Sequence, residues 1–491
     1  MRAISSRNRL AALAATAVLA AACSSTGPPS GKEPARSTSA LSVRGTLGFE
    51  TAPISREARK RLKLPPGAKG ALVVEVLPGG PGAAAGIRPD DLVQEVGSAP
   101  VGNECEFVNA GYDIRSLAPV RVVIRRAVSS VEVSVAPVEQ GPFFESLCQR
   151  GIASGCFRQA WSLGTAASRR ERALALYDSA CRSGSAAACA DLGVRLLEWT
   201  DRSKDAKAAL DRSCALGNAA GCAHAAFLPA TGKIVSRDDR RATALYVRGC
   251  DLGDAKACYN VGLMADEGRG GPRNLKLAAA RYEEACEGGS STACTNLGFF
   301  YENGRGVPRN AERSFALYRR GCDGSHCQSS NLNGCVNLGR AYRDGIGVTK
   351  DAARAAEIFR DACERRSDPT DVGFDGNGAR ACSLLGALSL DTDNARALEL
   401  SVRGCERGDS FGCFNASAIY SSGGAGVSPD PARATSFLDR ACQAGDGEGC
   451  FDLAIAYEKG TGISPDREKA TASFQKACSL GFEKACGRKG H

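Results

Sequence analysis

Large and small apolar positions recur in register along the last two-thirds of the chain, from Cys148 to Cys486. A bulky group stands four residues before one cysteine in most units (Tyr177, Tyr246, Tyr282, Tyr318, Phe359, Leu438, Phe474). A small one stands four residues after the next (Ala160, Gly193, Ala226, Gly262, Gly298, Gly339, Gly386, Ser417, Ala454), usually preceded by an apolar residue such as Leu192, Val261 or Leu297. A small residue on one helix facing a ring on its neighbour predicts two helices in close approach with the gap filled. Glycines in ENGRGV, RDGIGV and EKGTGI, and three residues after the first cysteine at Gly151, Gly184, Gly217, Gly253, Gly289, Gly408, Gly445 and Gly481, mark helix ends. Successive second cysteines (156, 189, 222, 258, 294) lie 33, 33, 36 and 36 apart, stretching to 41 and 47 across two insertions and then reading 31, 37 and 36. A period in the mid-thirties predicts a helix–turn–helix solenoid over residues 142–491.

Upstream the texture changes. Residues 42–139 predict a small β-rich domain: a buried strand at ALVVEVL (Ala71 to Leu77), and a late hairpin of VRVVIRR (Val120 to Arg126) and VEVSVAP (Val131 to Pro137), with Val131, Val133 and Val135 inward. One helix is expected from Ser55 to Leu64, capped by Ser55 and stopped by Pro65 and Pro66, and a second from Glu104 to Ile114. Residues 23–41 are rich in Ser, Pro, Gly and Thr and bury too little to offset their ordering entropy, so they read as a tether. The fold class is a multi-domain α+β chain: a small β-rich domain followed by an all-α solenoid.

The 23 cysteines then bear on compartment. Zinc sites gather four ligands at short spacing. This chain has no Cys-x-x-Cys and only three histidines, His224, His326 and His491, so no metal or other cofactor is expected. Disulfides in an oxidising compartment are the better reading. The first cysteine of each pair falls in the last turn of one helix and the second in the first turn of the next. The expected bridges are Cys148–Cys156, Cys181–Cys189, Cys214–Cys222, Cys250–Cys258, Cys286–Cys294, Cys405–Cys413, Cys442–Cys450 and Cys478–Cys486, all eight apart, with Cys322–Cys335 and Cys363–Cys382 across insertions. Cys327 also sits eight before Cys335 and could pair with it, although repeat register favours Cys322. On that register Cys105 and Cys327 are left over.

Charge changes the picture little. The net +9 comes from 63 basic and 54 acidic residues interleaved throughout, which reads as a solvated surface and argues against nucleic acid as a partner. At the N-terminus, Arg2, Arg7 and Arg9 precede an apolar stretch from Leu10 to Ala22 that is too short to span a bilayer, so residues 1–22 read as a secretory signal. Its end, LAAAC, resembles the lipobox of bacterial lipoproteins, which would lipidate Cys23; a plain cut after Ala22 is the alternative. With Ser24 beside it, the resemblance implies an outer-membrane lipoprotein facing the periplasm or surface and held to the membrane by its anchor.

Two further resemblances follow from motifs. LGF (Leu47, Gly48, Phe49), LPPGAKGALVVEVLPGGPGAAAGIRPDDLV and VRVVIRR resemble a PDZ domain of the bacterial HtrA-type arrangement. The resemblance implies that the backbone amides of the LGF loop receive a peptide's terminal carboxylate, with the peptide adding as a strand beside it. Gly48 would turn the amides outward, and Leu47 and Phe49 would line a pocket for the last side chain. Asp90-Asp91 stands where relatives often read Gly-Asp, and the usual turn is displaced to Val96-Gly97-Ser98. TNLGFFYENGRGVPRNAERSFALYRRGC and FDLAIAYEKGTGISPDREKATASFQKAC resemble Sel-1-like repeats of the cysteine-rich secreted kind, in about nine units.

Together these imply a scaffold or adaptor that binds C-terminal or extended peptides through the small domain and envelope proteins on the repeats. The cysteine-rich class is also linked to penicillin binding and weak β-lactamase activity, which makes a cell-wall enzyme one alternative; a structural envelope protein with an inert PDZ is another. The one Ser-x-x-Lys, Ser473 to Lys476, lies mid-helix beside Phe474 with no KTG element, and the histidines suit no triad, so no catalytic residues are expected.

Overall fold

The computed structural model describes residues 45–65, 68–102, 107, 117–126, 129–164, 166–232, 234–323, 331–365, 376–390, 392–424 and 426–488. They fall into two compact units, residues 45–309 and residues 310–488. The expected signal, tether and anchor residue Cys23, together with Cys105, Cys327, His326 and His491, lie outside the described residues, as does the expected helix at 104–114 apart from Phe107.

The first unit opens with strands. Strands β2 (Phe49–Ala52), β3 (Ala71–Val76), β4 (Leu92–Val96), β6 (Val120–Arg126) and β7 (Ser129–Val135) form one antiparallel sheet in the order β2-β3-β4-β6-β7, with β5 (Ala99–Pro100) on β4. Short β1 (Gly45–Thr46) pairs with β8 (Val138–Glu139), so both ends of the domain meet. Its core is Leu47, Phe49, Ala71, Val73, Ile87, Val93, Val96, Val101, Phe107, Val122, Ile124 and Val135. Val131 and Val133 pack against that core but remain half-buried, because β7 is the last strand and its inward face is only partly covered.

The helix expected from Ser55 to Leu64 is shorter, Arg56–Arg61. Ser55 Oγ accepts the Ala58 N–H as anticipated, but the helix ends at Leu62 before the prolines, and Lys63 turns to φ 49°. Leu62 and Leu64 pack against Ala58, Leu72 and Leu92.

The unusual Asp90-Asp91 pair has a division of labour. Asp90 takes φ 72°, a left-handed conformation that favours glycine. Asp91 is buried and grips Arg126 through both carboxylate oxygens, Nε to Oδ1 at 2.7 Å and Nη2 to Oδ2 at 2.6 Å. The Arg88 N–H donates to Asp91 as well, tying the loop before β4 to the end of β6.

Ten helices follow in the first unit, from Gln140–Gln149 to Ser291–Asn303, and nine in the second, from Ala311–Asp323 to Arg467–Ser479. Their ends are written in the sequence. Ser185, Asn218, Asp254 and Ser290 each cap a helix by accepting the N–H three residues on, as do Asp351, Asp393, Asp430 and Asp466 in the second unit. Each such cap stabilises its helix by about 1 kcal/mol. Gly289, at φ 94°, reverses the chain after Cys286 and brings the Cα atoms of Cys286 and Cys294 to 4.7 Å.

Ten disulfides lie at such seams: Cys148–Cys156, Cys181–Cys189, Cys214–Cys222, Cys250–Cys258 and Cys286–Cys294 in the first unit, and Cys322–Cys335, Cys363–Cys382, Cys405–Cys413, Cys442–Cys450 and Cys478–Cys486 in the second. The small-to-large contact is the other repeated feature. A Cβ on Gly262 would meet the Tyr282 ring at 2.7 Å, and one on Gly339 would meet the Phe359 ring at 2.4 Å. Tyr282 in turn meets Phe300 edge-on at 5.4 Å.

Candidate functional site

The loop Leu47–Phe49 is held from three sides. Gly48 has φ 72°, its N–H donates to Thr46 Oγ1 at 3.3 Å, and its carbonyl accepts the Leu77 N–H at 2.9 Å. Pro81 and Gly82 press so closely that a Cβ on Gly48 would lie 2.6 Å from Pro81 Cδ, and one on Gly82 would lie 2.8 Å from the Phe49 ring. Leu47 and Phe49 are buried in the domain core, and Phe49 packs on Phe107 with ring centroids 5.3 Å apart. β2 continues from this loop and, among the described residues, pairs on one side only, with β3, at the end of the strand order. An end strand presents a row of backbone donors and acceptors to which an extended chain can add.

The opposite face of β2 and β3 is turned toward the repeats. Ser154 Oγ donates to Glu75 at 2.9 Å, and Arg158 forks onto Glu50, its Nε donating at 2.7 Å. Burial raises the Glu75 carboxyl above its usual range, an effect that the Ser154 hydrogen bond opposes. Leu77 is enclosed by Phe144 and Leu147, with Phe143 and Ile152 beside them. At the far end of β2, Pro53 and Ile54 abut Gly253, where a Cβ would lie 3.0 Å from Pro53 Cβ. The small domain therefore touches the repeats at both ends of β2.

Ser154 and Arg158 stand two residues before and two residues after the second cysteine of their unit. The same two positions carry His224 in one later unit and Lys256 with Asn260 in the next, all half-buried. The regular columns three and four residues past the cysteine are apolar and small, and this polar pair lies beside them. The position two past the second cysteine is polar in most units (Arg158, Asp191, His224, Asn260, Asn296, Asn337), but only the docked domain reveals what it faces.

Burial, with Lys256 opposing protonation as well, pushes the His224 imidazole down to about 4. The unfolded chain binds that proton near the ordinary histidine range, so this contribution to stability is complete above about pH 6.5 and is lost as pH falls toward 4. The thermal midpoint of the wild type is expected to drop more between pH 7 and 4.5 than that of His224→Asn, by the equivalent of about 1 kcal/mol after allowing for solvent screening. Equal drops in the two proteins would remove His224 from the account.

Other clusters are weaker. Cys250, Cys258 and Glu284 lie together, but both sulfurs are consumed by the disulfide and offer no thiolate to a metal. In the surface depression around Lys207, Arg237 and Arg241, all three cations pair with Asp211 or Asp239. Ser473 is half-buried and Lys476 exposed, one turn apart on helix Arg467–Ser479, with Phe474 buried between them. No helix among the described residues is long and apolar enough to cross a membrane.

Comparison with known proteins matches the family description "Sel1 repeat" at residues 161–185, 219–254, 255–290, 291–326, 332–367, 410–446 and 447–482. The helical pattern continues through the unmatched stretches, as at helices Ala186–Trp199 and Ser203–Ala215. No curated protein matches the chain. Among solved structures, a protective antigen of uropathogenic Escherichia coli strains displaying an SLR fold is 20% identical, covering 71% of this chain and 81% of that one with a TM-score of 0.52, which shows a shared fold. Helicobacter pylori cysteine rich protein B is 28% identical over 27% of this chain and 98% of its own, with a TM-score of 0.24. The HtrA3 PDZ domain bound to a phage-derived ligand is 22% identical over 20% of this chain and 86% of its own, with a TM-score of 0.17.

Proposed function

The chain carries Sel1 repeats, modules of protein-interaction scaffolds, and on that premise we propose that it is a cell-envelope adaptor that captures C-terminal peptides on a PDZ-like domain and holds partner proteins on its repeats. The observation that carries this reading is β2, an end strand entered through a glycine-turned loop held by Pro81 and Gly82. Such a strand adds an extended peptide by main-chain hydrogen bonds, while loop amides receive its carboxylate. Ten disulfides suit an oxidising compartment such as the periplasm or cell exterior.

The test is a screen of free C-terminal peptides against the oxidised chain. A selected peptide is expected to lose at least about tenfold in affinity when its terminus is amidated, since that removes a charge-assisted hydrogen-bond set worth over ~1.4 kcal/mol. Amidation needs no change to the protein, whereas Gly48→Glu must also displace Pro81. Equal affinity for acid and amide, or no binder at all, would overturn the groove reading and favour a structural role.

Anchoring is tested separately. The intact mass of membrane-extracted protein is expected to exceed that of a polypeptide starting at Cys23 by a diacylglycerol and an acyl chain. An unmodified soluble product would reject the lipid anchor and leave the peptide reading in place.

A further inference from the structure

The peptide groove, if the reading above holds, does not end with the small domain. A peptide whose terminus sits at Leu47–Phe49 must run antiparallel to β2, pairing residue for residue, so its fourth residue from the end reaches Ala52. At about 3.4 Å per residue, the next two or three residues pass Pro53 and Ile54. Those two residues abut Gly253, in the turn between helices Asp239–Asp251 and Ala255–Glu267. The emerging peptide is therefore delivered onto the repeats.

Next to Gly253 in the chain stands a set of polar side chains. Lys256 stands three residues beyond Gly253, half-buried, with no close ion pair among the described residues, and it feels the Asp254 carboxylate at longer range. The nearest acid, Asp254, is occupied as a helix cap and accepts the Ala257 N–H. Asn260 lies one helical turn from Lys256 on the same face, and its amide has no partner among the described residues. An amide offers a donor and an acceptor side by side, the complement of a peptide group. His224 flanks Lys256 from the preceding unit.

We propose that Lys256, with Asn260 beside it, forms an extension of the β2 groove that selects peptides carrying an acidic side chain about five to seven residues before their C-terminus. A half-buried ammonium whose neighbouring acid, Asp254, also serves as a helix cap is short of solvation and gains when a further carboxylate arrives, so it discriminates by charge more than an exposed lysine does. Position in the repeat supports the same assignment. The positions that bring Ser154 and Arg158 to acidic Glu75 and Glu50 of the small domain are those that place Lys256 and Asn260. In the first unit of the repeats, then, these two positions receive acidic groups.

The test takes ligands selected from a displayed library of random C-terminal decapeptides on the oxidised full chain. Four synthetic peptides share the selected last four residues: the bare tetrapeptide, and decapeptides with Glu, Ala or Lys at positions five to seven from the end. Fluorescence anisotropy is expected to rank the Glu decapeptide at least about tenfold tighter than the Lys decapeptide. Lys256→Glu is expected to invert that order while leaving the tetrapeptide affinity unchanged, and Lys256→Arg to preserve it. Tetrapeptide binding with no effect of upstream charge, or an order unmoved by Lys256→Glu, overturns the extension and leaves the groove standing. Failure of every free-acid peptide to bind overturns both.

Discussion

Reduction of the ten repeat disulfides is expected to melt the helices at temperatures where the oxidised chain stays folded. The interfaces explain why. Fully buried positions in the repeats are dominated by alanine, as at Ala173, Ala188, Ala206, Ala242, Ala257, Ala278 and Ala293 in the first unit, so each interface removes modest apolar area from water. Repeat proteins sum nearest-neighbour terms, so a thin interface weakens every unit alike. A bridge closing about nine residues contributes ~2.6 kcal/mol on the chain-entropy estimate, and the longer loop of Cys363–Cys382, separated by 19, about 3.3. The double variant Cys363→Ala/Cys382→Ala is therefore expected to show the largest loss for a single bridge. Far-UV circular dichroism melts with and without dithiothreitol decide the matter. Midpoints within a few degrees of each other would show that packing, not the bridges, holds the repeats.

Gly339→Val is expected to cost about 3 kcal/mol, more than most single substitutions in a solenoid. Any Cβ there must lie 2.4 Å from the ring of Phe359, which is itself fully buried and has no space to retreat into. Phe359→Ala removes the ring and leaves a void, at about 3–5 kcal/mol. The two changes share one space, so the double variant is expected to be clearly less destabilised than the sum. Denaturant melts of the four proteins give that coupling; strict additivity would mean that the small column does not exist to accommodate the ring.

Much of the fold was legible because its signals are local. A glycine three residues after a cysteine, a cap one residue later and a ring four residues before it each act over a turn of helix, and together they define the seam at Cys286–Cys294. The strand ALVVEVL followed from a short apolar run, and the second strand of the β6–β7 hairpin from alternation. The helix after Ser55 was overextended because proline marks where a helix must have stopped, while Leu62 and Leu64 were already committed to Leu72 and Leu92. Asp91 looked like a departure from a turn pattern, yet it serves as the buried partner of Arg126, 35 residues away.

The site was less legible. Leu47, Gly48 and Phe49 stood out as a motif, but the closeness of Pro81 and Gly82 to that loop depends on a second segment. Nothing near Arg158 in sequence indicates that it pairs with Glu50, 108 positions earlier.

By itself, then, the sequence determined the repeat, its period, its helix-ending glycines, its cysteine seams and the strands of the small domain. Each of these is a preference of a short segment or a periodic pattern summed over copies. Only the tertiary structure decided which polar column the small domain faces, and that Pro53 and Ile54 deliver the end of β2 to Gly253 beside Lys256. Those contacts join residues about 100 to 200 positions apart, and a surface lysine reads the same in sequence whether it faces water or a neighbouring domain.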